Sequence, residues 1–259
     1  MTWSSNPVDG KYVSFSSVEL YNLCPFKYYQ QYVEKKWGPA NIFVVMGITL
    51  HNILEGAYIS GNFSPEHWSK KLTVMFREVT EDQFPELLHD KMEYARCKNR
   101  TDYLIFHTFA LVKKNKLDVQ IDSKFVETKL KGKAFGWKVG GKSDLIVPDP
   151  HPDYIGYNIL LDLKSSQKES ITHHYQGLLY REMAPKSFNI KRVGILYPAF
   201  DELIISDEKY RMEAAKFLRD AIGGLDQRKF EPKRNQYCQY CHLKEPCPIY
   251  KCRPRKKKS

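Results

Sequence analysis

Long hydrophobic runs are scarce in this chain. None reaches the roughly 18 apolar residues that a membrane span needs, so no membrane partner is expected. The opening stretch, Met1 to Lys11, is polar and has no apolar h-region, so no secretory signal is expected. Both point to an intracellular protein, cytoplasmic or, in a eukaryote, nuclear. Cysteine is sparse, six in 259 residues. Without a secretory signal these thiols are expected to be ligands or buried groups rather than disulfides. Internal repeats are absent. Acidic side chains are outnumbered, 30 against 41 basic, which gives a net charge of +11.

What is present is a core. Hydrophobic residues make up 42% and aromatic residues 14%, enough for one large domain or one core with appendages. The last nine positions hold Lys251, Arg253, Arg255, Lys256, Lys257 and Lys258, six of the 41 basic residues. The other 250 residues then carry 35 basic against 30 acidic side chains, a moderately basic body with a strongly basic, disordered tail over 251–259. Such a balance suits a polyanion, nucleic acid first, and the tail also resembles a nuclear localisation signal.

The chain changes period near residue 115. Before it, the pattern is helical. Ser16-Ser17-Val18-Glu19 reads as a capping box opening a helix that runs toward Tyr32, with Cys24-Pro25 in it or breaking it. Trp37-Gly38-Pro39 reads as a loop. Ile42 to Ile59 reads as a helix with Met46, Leu50, Leu54 and Ala57 on one face, and Gly61 ends it. Ser64-Pro65 opens a third helix, and a fourth covers about Asp102 to Lys114. Beyond 115, Phe125 to Leu130 and Phe135 to Val147 alternate like strands, with Lys131-Gly132-Lys133 as the turn between them. Ile155 to Ser165 reads as a strand, Ser170 to Met183 as a helix, Lys191 to Tyr197 as a strand. Asp207 to Leu225 reads as a helix closed by Gly223-Gly224. The expected organisation is a helical part over 1–115, an α/β core over 116–228, a cysteine-rich segment over 229–250 and the tail.

Chemistry concentrates at Asp162-Leu163-Lys164. In a strand, Asp162 and Lys164 share one face and Leu163 takes the other. Alone, this is an ion pair at a strand end. Asp144 sits on the preceding strand, and antiparallel pairing would set it beside Asp162. Two adjacent carboxylates both ionise readily only with a cation between them, and oxygen ligands suit Mg²⁺ or Mn²⁺. Such an ion activates phosphoryl oxygen and water, and Lys164 could orient that water or stabilise charge on phosphate. Gly136 to Ser143 matches the G-x-x-x-x-G-K-[ST] phosphate loop, and Asn158 to Asp162 could pass as its acidic partner strand. Ser143 is followed by a strand and a proline rather than a helix, which argues against a nucleotide site. His151, His173, His174 and Cys97 read as structural or surface residues. Cys238, Cys241, Cys247 and Cys252 have the spacing of a zinc site, and four cysteines also suit an iron–sulfur cluster.

The ordered series resembles the PD-(D/E)XK nucleases. Asp144 followed by Asp162-Leu163-Lys164 resembles their D…(D/E)-x-K pattern. Gln176-Gly177-Leu178-Leu179-Tyr180 resembles the Q-x-x-x-Y motif of the RecB-like branch, and Gly47 to His51 its helical histidine motif. Ser14-Phe15-Ser16, Tyr21 to Pro25 and the closing Cys238, Cys241, Cys247 are similar to its iron–sulfur subgroup, the CRISPR-adaptation exonucleases and AddB nuclease domains. The resemblance implies a restriction-endonuclease-like α/β fold, a mixed central sheet flanked by helices, with a helical N-terminal part and a cysteine-rich C-terminal staple. It implies His51, Asp144, Asp162 and the Leu163 carbonyl as ligands of Mg²⁺ or Mn²⁺, and Lys164 as the catalytic lysine. Gln176 and Tyr180 would position that lysine or the DNA backbone, with Glu127 as an outer candidate. It implies Cys24, Cys238, Cys241 and Cys247 as ligands of a [4Fe-4S] cluster, with Zn²⁺ as the alternative and Cys252 spare. Such a cluster would close a loop of about two hundred residues, a closure cost that grows only logarithmically. The implied activity is exonucleolytic cleavage of single-stranded DNA or duplex ends in DNA processing, recombination or repair, beside a helicase or recombination partner. The rival reading is a basic DNA-binding protein without catalysis, carrying a structural zinc or iron–sulfur site.

Overall fold

The computed structural model describes residues 12–38 and 42–251. The readings that fall on the first eleven residues, on Pro39, on Cys252 and on the tail beyond it lie outside the described residues. The chain forms two compact units, each discontinuous in sequence. Within the described residues, the first gathers 12–38, 131–140 and 212–251, and the second 42–130 and 141–211.

In chain order the strands are β1 (Val13–Ser14), β2 (Val126–Ala134), β3 (Trp137–Pro148), β4 (Asn158–Leu163), β5 (Ile190–Tyr197) and β6 (Glu202–Ile205). The longer helices and one short one are α1 (Phe15–Leu23), α2 (Pro25–Tyr28), α3 (Ile42–Ser60), α4 (Pro65–Gln83), α5 (Lys91–Lys114), α6 (Ile171–Met183) and α7 (Tyr210–Asp226).

The second unit is built on helices α3, α4 and α5, which pack on one another. Val45, Met46, Leu50, Ile53, Leu54 and Ala57 bury one face of α3 at the three-and-four spacing of an amphipathic helix. By length and apolarity α3 meets the minimum for a membrane span, with mean hydropathy 1.5, a test that a buried core helix passes as well. Half of that window is buried inside this unit, and its other positions include His51, Asn52 and Glu55. α4 opens as the sequence predicts. Ser64 accepts the His67 N–H and Pro65 occupies the first turn, where a missing N–H costs nothing. α5 begins at Lys91 rather than Asp102. Asp90 caps it by accepting from the Glu93 N–H, and the charged run Lys91 to Arg100 hides a buried stripe that starts at Cys97.

The sheet of this unit is mixed. β3 pairs antiparallel with β4, β4 pairs parallel with β5, and β5 pairs antiparallel with β6. A parallel pair needs a crossover, and α6 supplies it between β4 and β5. Leu145, Val147, Ile159, Leu161 and Leu163 join the core shared with α3 to α5. Ile146, Leu160 and Asp162 alternate with them and take the opposite face. The sequence pattern misses β6, a four-residue edge strand whose apolar run, Leu203-Ile204-Ile205, is short. It also overextends β4. Tyr154 ends a 3-10 turn, and Gly156 at φ +82 breaks the backbone before Asn158.

β2 and β3 form a hairpin whose turn is Phe135-Gly136, at φ +50 and +89. Two positive φ values in a two-residue loop match the right-handed twist of the strands. The expected turn at Lys131 to Lys133 lies inside β2 instead.

In the first unit, β1 pairs parallel with the start of β3, Val13 opposite Val139. The cap of α1 is Ser14, whose hydroxyl accepts the Ser17 N–H at 3.2 Å, so the expected capping box at Ser16 is two residues late. Cys24 ends α1 in an extended conformation, φ −162 and ψ 101, because a residue before proline is driven out of the helical region. α7 starts at Tyr210, not Asp207, and Gly223-Gly224 lie within it rather than closing it. Any side chain at Gly224 would meet the Tyr21 ring, whose hydroxyl donates to the Lys229 carbonyl at 2.5 Å.

α6 sits close on β5 because Gly177 has no side chain. A Cβ there would collide with Val193 Cγ1. Gly177→Ala is expected to lower stability by about 1–3 kcal/mol through overpacking. Adding Val193→Ala should relieve the clash, so the double variant loses less than the two singles together in thermal melts. Strict additivity would show that the close approach does not set the packing.

Candidate active site

The site grows from the β3–β4 pairing. Leu145 lies opposite Leu161, so one step further along the ladder Asp144 comes beside Asp162. Asp162 is 1% exposed. The Leu163 N–H donates to Asp144 Oδ2 at 2.6 Å, a charge-assisted bond that fixes the carboxylate at the end of β4. The Leu163 side chain points into the core, as the alternation predicts.

His51 reaches this corner from α3. Its Nδ1 lies 3.4 Å from Asp144 Oδ1 and 4.0 Å from Glu127 Oε1. The ligand atoms of His51, Glu127 and Asp144 all lie within 4.8 Å of one another, and among the described residues no other such trio of His, Cys, Asp or Glu occurs. One imidazole nitrogen and two carboxylates suit a divalent cation of the Mg²⁺–Mn²⁺ kind or a borderline transition metal. Glu127 is the member that sequence reasoning left on the margin. It adopts φ +48 in β2, an uncommon conformation for a residue with a side chain, and it also pairs with Lys142. Its signal in the sequence was only its place at the start of a strand.

Asp162 stands outside that trio. Lys164 Nζ lies 2.7 Å from Asp162 Oδ2 and gives that buried oxygen an ion-pair partner. Lys164 thus does pair with Asp162, the arrangement that the pentapeptide by itself suggests. It also donates to Gln176 Oε1 at 2.9 Å, and Gln176 Nε2 donates to the Tyr180 hydroxyl at 3.2 Å. Gln176 and Tyr180 are one turn apart on α6, which makes one polar line from Asp162 to Tyr180. Tyr180 lies flat against the β3 backbone at Gly141, where a Cβ would meet its ring and hydroxyl. That close approach explains the second glycine of the phosphate-loop-like run, which is strand from Trp137 onward.

The electrostatics separate the two acids. Burial raises the Asp162 carboxyl above the ordinary range, Lys164 opposes that shift, and the neighbouring Asp144 adds to it. Burial pushes Asp144 the same way. There the His51 charge and hydrogen bond, Lys164 and the Leu163 N–H prevail and hold it below the usual value. Burial depresses the His51 ring, and Asp144 more than reverses this, so its pKa is raised. A cation at this corner would favour the ionised carboxylates.

His173 is closer to the site than the sequence suggests. It lies three residues before Gln176 on the same face of α6, and its Nδ1 is 2.7 Å from the Tyr197 hydroxyl. Burial, and then the charges of Lys164 and His174, push its pKa down to about 4, so the ring is neutral at neutral pH. His174 is buried between Ser206 and Glu169, and Cys97 is buried in the helical core.

The cysteines gather in the first unit. Cys24, Cys238, Cys241 and Cys247 line one cavity of about 360 Å³, with Phe26, Asn235 and Leu243. The Asn235 N–H donates to Cys238 Sγ at 3.3 Å. No three of these sulfurs come within 4.8 Å of one another. A tetrahedral zinc–thiolate site, with Zn–S near 2.3 Å, needs sulfurs about 3.8 Å apart.

The comparisons with known proteins follow the same lines. The family described as the PD-(D/E)XK nuclease superfamily matches residues 12–248. No curated protein matches. Among solved structures, the crystal structure of "Putative exonuclease" from Eubacterium rectale shares 16% identity at a TM-score of 0.53, covering 93% of this chain and 90% of that one. The crystal structure of SSO0001 shares 17% identity over 80% of this chain and 96% of that one, at a TM-score of 0.34, too distant to argue from. At these identities the first likeness speaks for the fold alone. The family match spans nearly the whole chain and includes His51, Asp144, Asp162, Lys164, Gln176 and Tyr180. The chain belongs to the PD-(D/E)XK nuclease superfamily.

Proposed function

We propose that this chain is a divalent-metal-dependent DNA nuclease of the RecB-like iron–sulfur branch, acting as an exonuclease on single-stranded DNA or duplex ends. The observation that carries the reading is the meeting of Asp144 with Asp162 on paired strands, next to His51 and Glu127 and in line with Lys164. The net charge of +11 supports a polyanionic substrate.

His51, Glu127 and Asp144 would hold the cation, with Asp162 beside Asp144 as the further carboxylate. When bound, such a cation polarises the phosphodiester and acidifies water. The protein's own part is positioning. Lys164 is held between Asp162 and Gln176, and its ammonium orients the attacking water or stabilises charge that develops on phosphate. Gln176 fixes the lysine, and Tyr180, wedged on Gly141, fixes Gln176. The Leu163 N–H keeps Asp144 turned toward His51. Strand separation is left to a helicase or recombination partner.

The four thiols around the cavity support a [4Fe-4S] cluster held by Cys24, Cys238, Cys241 and Cys247 in a structural role. It would tie the break between α1 and α2 to the C-terminal segment.

Three outcomes test this. With Mn²⁺ or Mg²⁺, end-labelled single-stranded DNA should be degraded. Asp162→Asn and Lys164→Met, each still folded, should cut about 10²–10³-fold more slowly. Wild-type rates in both variants would sink the reading. In EDTA-stripped protein, Mn²⁺ at about 100 times its Kd should stabilise the fold by about 2.7 kcal/mol in thermal melts. His51→Ala and Glu127→Gln should lose most of that shift, and an undiminished shift would remove them from the site. Anaerobically purified protein should be brown, and Cys24→Ser should lose the colour. Colourless protein with stoichiometric zinc would replace the cluster with zinc.

A further inference from the structure

One exposed face of α5 carries aromatic and basic side chains together. Tyr103 is 53% exposed and Phe106 is 40% exposed. At 100° per residue, Arg96, Tyr103, Phe106 and Lys114 fall within an arc of about 80°, with Arg100 and Lys113 at its borders. Arg96, Lys113 and Lys114 are exposed as well. Single exposed aromatics are ordinary, but here two stand one turn apart between cations. No acid lies on the line. Glu93 and Asp102 flank it, and Asp102 accepts from the Ser69 hydroxyl at 2.5 Å. His107 lies tilted against the Tyr103 ring, centroids 4.0 Å apart, and is itself tied to Asp201 at 3.0 Å, which holds the Tyr103 ring in place.

The line is also joined to the catalytic corner. With the Gln167 amide oriented as its donors require, its oxygen accepts from Arg100 at 2.6 and 3.0 Å. Gln167 is three residues after Lys164, in the loop that leads from β4 to α6. A single strand leaving the scissile phosphate would therefore meet a guanidinium, then aromatic rings, then lysines.

We propose that this face of α5 is a track for single-stranded nucleic acid, with bases stacking on Tyr103 and Phe106 and phosphates meeting Arg96, Arg100, Lys113 and Lys114. The proposal deepens the nuclease reading and rests on it for direction: the strand runs from the Lys164 loop along α5. From Arg96 to Lys114 the helix rises about 27 Å, a length for several nucleotides rather than one. Stacking on aromatic rings tolerates any sequence, because every base has a π-face. A duplex keeps its base faces stacked inside, so the rings select unpaired strands.

The test is fluorescence anisotropy of a dye-labelled oligothymidylate of about 20 nucleotides, in EDTA so that binding is read without cleavage. Tyr103→Ala/Phe106→Ala should weaken binding at least about tenfold, since each lost stacking partner is worth about 1–3 kcal/mol. Arg96→Ala/Arg100→Ala should weaken binding and reduce the slope of log affinity against log salt by about 1.4, at roughly 0.7 per phosphate contact on a single strand. Both sets lie on the surface, and unchanged thermal melts establish that they fold. Affinity within twofold of wild type in both double variants overturns the track, as does a wild type that binds no oligothymidylate. A wild-type dimer in size-exclusion chromatography that Tyr103→Ala/Phe106→Ala converts to monomer also overturns it, in favour of self-association. Failure of the nuclease reading looks different: the wild type binds through α5 and the variants do not, but Mn²⁺ brings no cleavage.

Discussion

Two carboxylates brought together at the end of an apolar pair of strands are the constraint on which the rest of the second unit depends. β3 and β4 pair through Leu145, Ile146 and Val147 against Leu161, Leu160 and Ile159, and that ladder leaves Asp144 and Asp162 no freedom to separate. Burying two like charges is costly, and each acid meets the cost in its own way. Asp144 is held ionised by a backbone N–H and by His51. Burial pushes Asp162 toward its neutral form, and Lys164, with smaller help from His51, offsets only part of that. Two identical groups thus differ in basicity because of where the strand register sets them, and a cation is the agent that would let both ionise.

The supporting parts exist to hold that corner still. α3 is apolar enough to be mistaken for a membrane span, and this apolarity lets it pack along the core while it presents His51 at the rim. α6 must lie close on the sheet for Gln176 to reach Lys164. Glycine makes the approach possible twice, at Gly177 against Val193 and at Gly141 beneath the Tyr180 ring. The line from Asp162 through Lys164 and Gln176 to Tyr180 is then a set of side chains with little room to choose other rotamers. Catalytic rate depends on such preorganisation, because a misplaced ammonium stabilises charge in the wrong place.

The first unit follows another logic. Its cysteines come from distant parts of the chain, Cys24 at the break between two helices and the others in a segment with little regular structure. A proline after Cys24 forces the extended backbone that turns its thiol out of the helix. The aromatic contacts among Tyr21, Tyr28 and Phe230 bring the N-terminal helices and the C-terminal segment into one packed group. Cys24, Cys238, Cys241 and Cys247 line one cavity within that group.

Much of this protein was legible in the amino-acid order alone. The alternation around Asp162 set the faces of β4, and the turn-spaced Gln176 and Tyr180 set the face of α6. The apolar spacing of α3 and the Ser64-Pro65 start of α4 needed no tertiary information, because periodicity and capping are local. Other features were decided only by the folded chain. The hairpin turn fell at Phe135-Gly136 rather than at a more turn-like Lys131-Gly132-Lys133, because the pairing of β2 with β3 runs past the glycine. β6 pairs with the edge of β5, a partnership that the short run Leu203-Ile204-Ile205 does not announce by alternation. The place of Glu127 beside His51, the bond of Lys164 to Gln176 and the neutral His173 against Tyr197 all depend on segments that lie apart in sequence. Spacing along a chain states which way a side chain points within its own element. Which distant group it meets, and therefore what charge it carries, is fixed by packing.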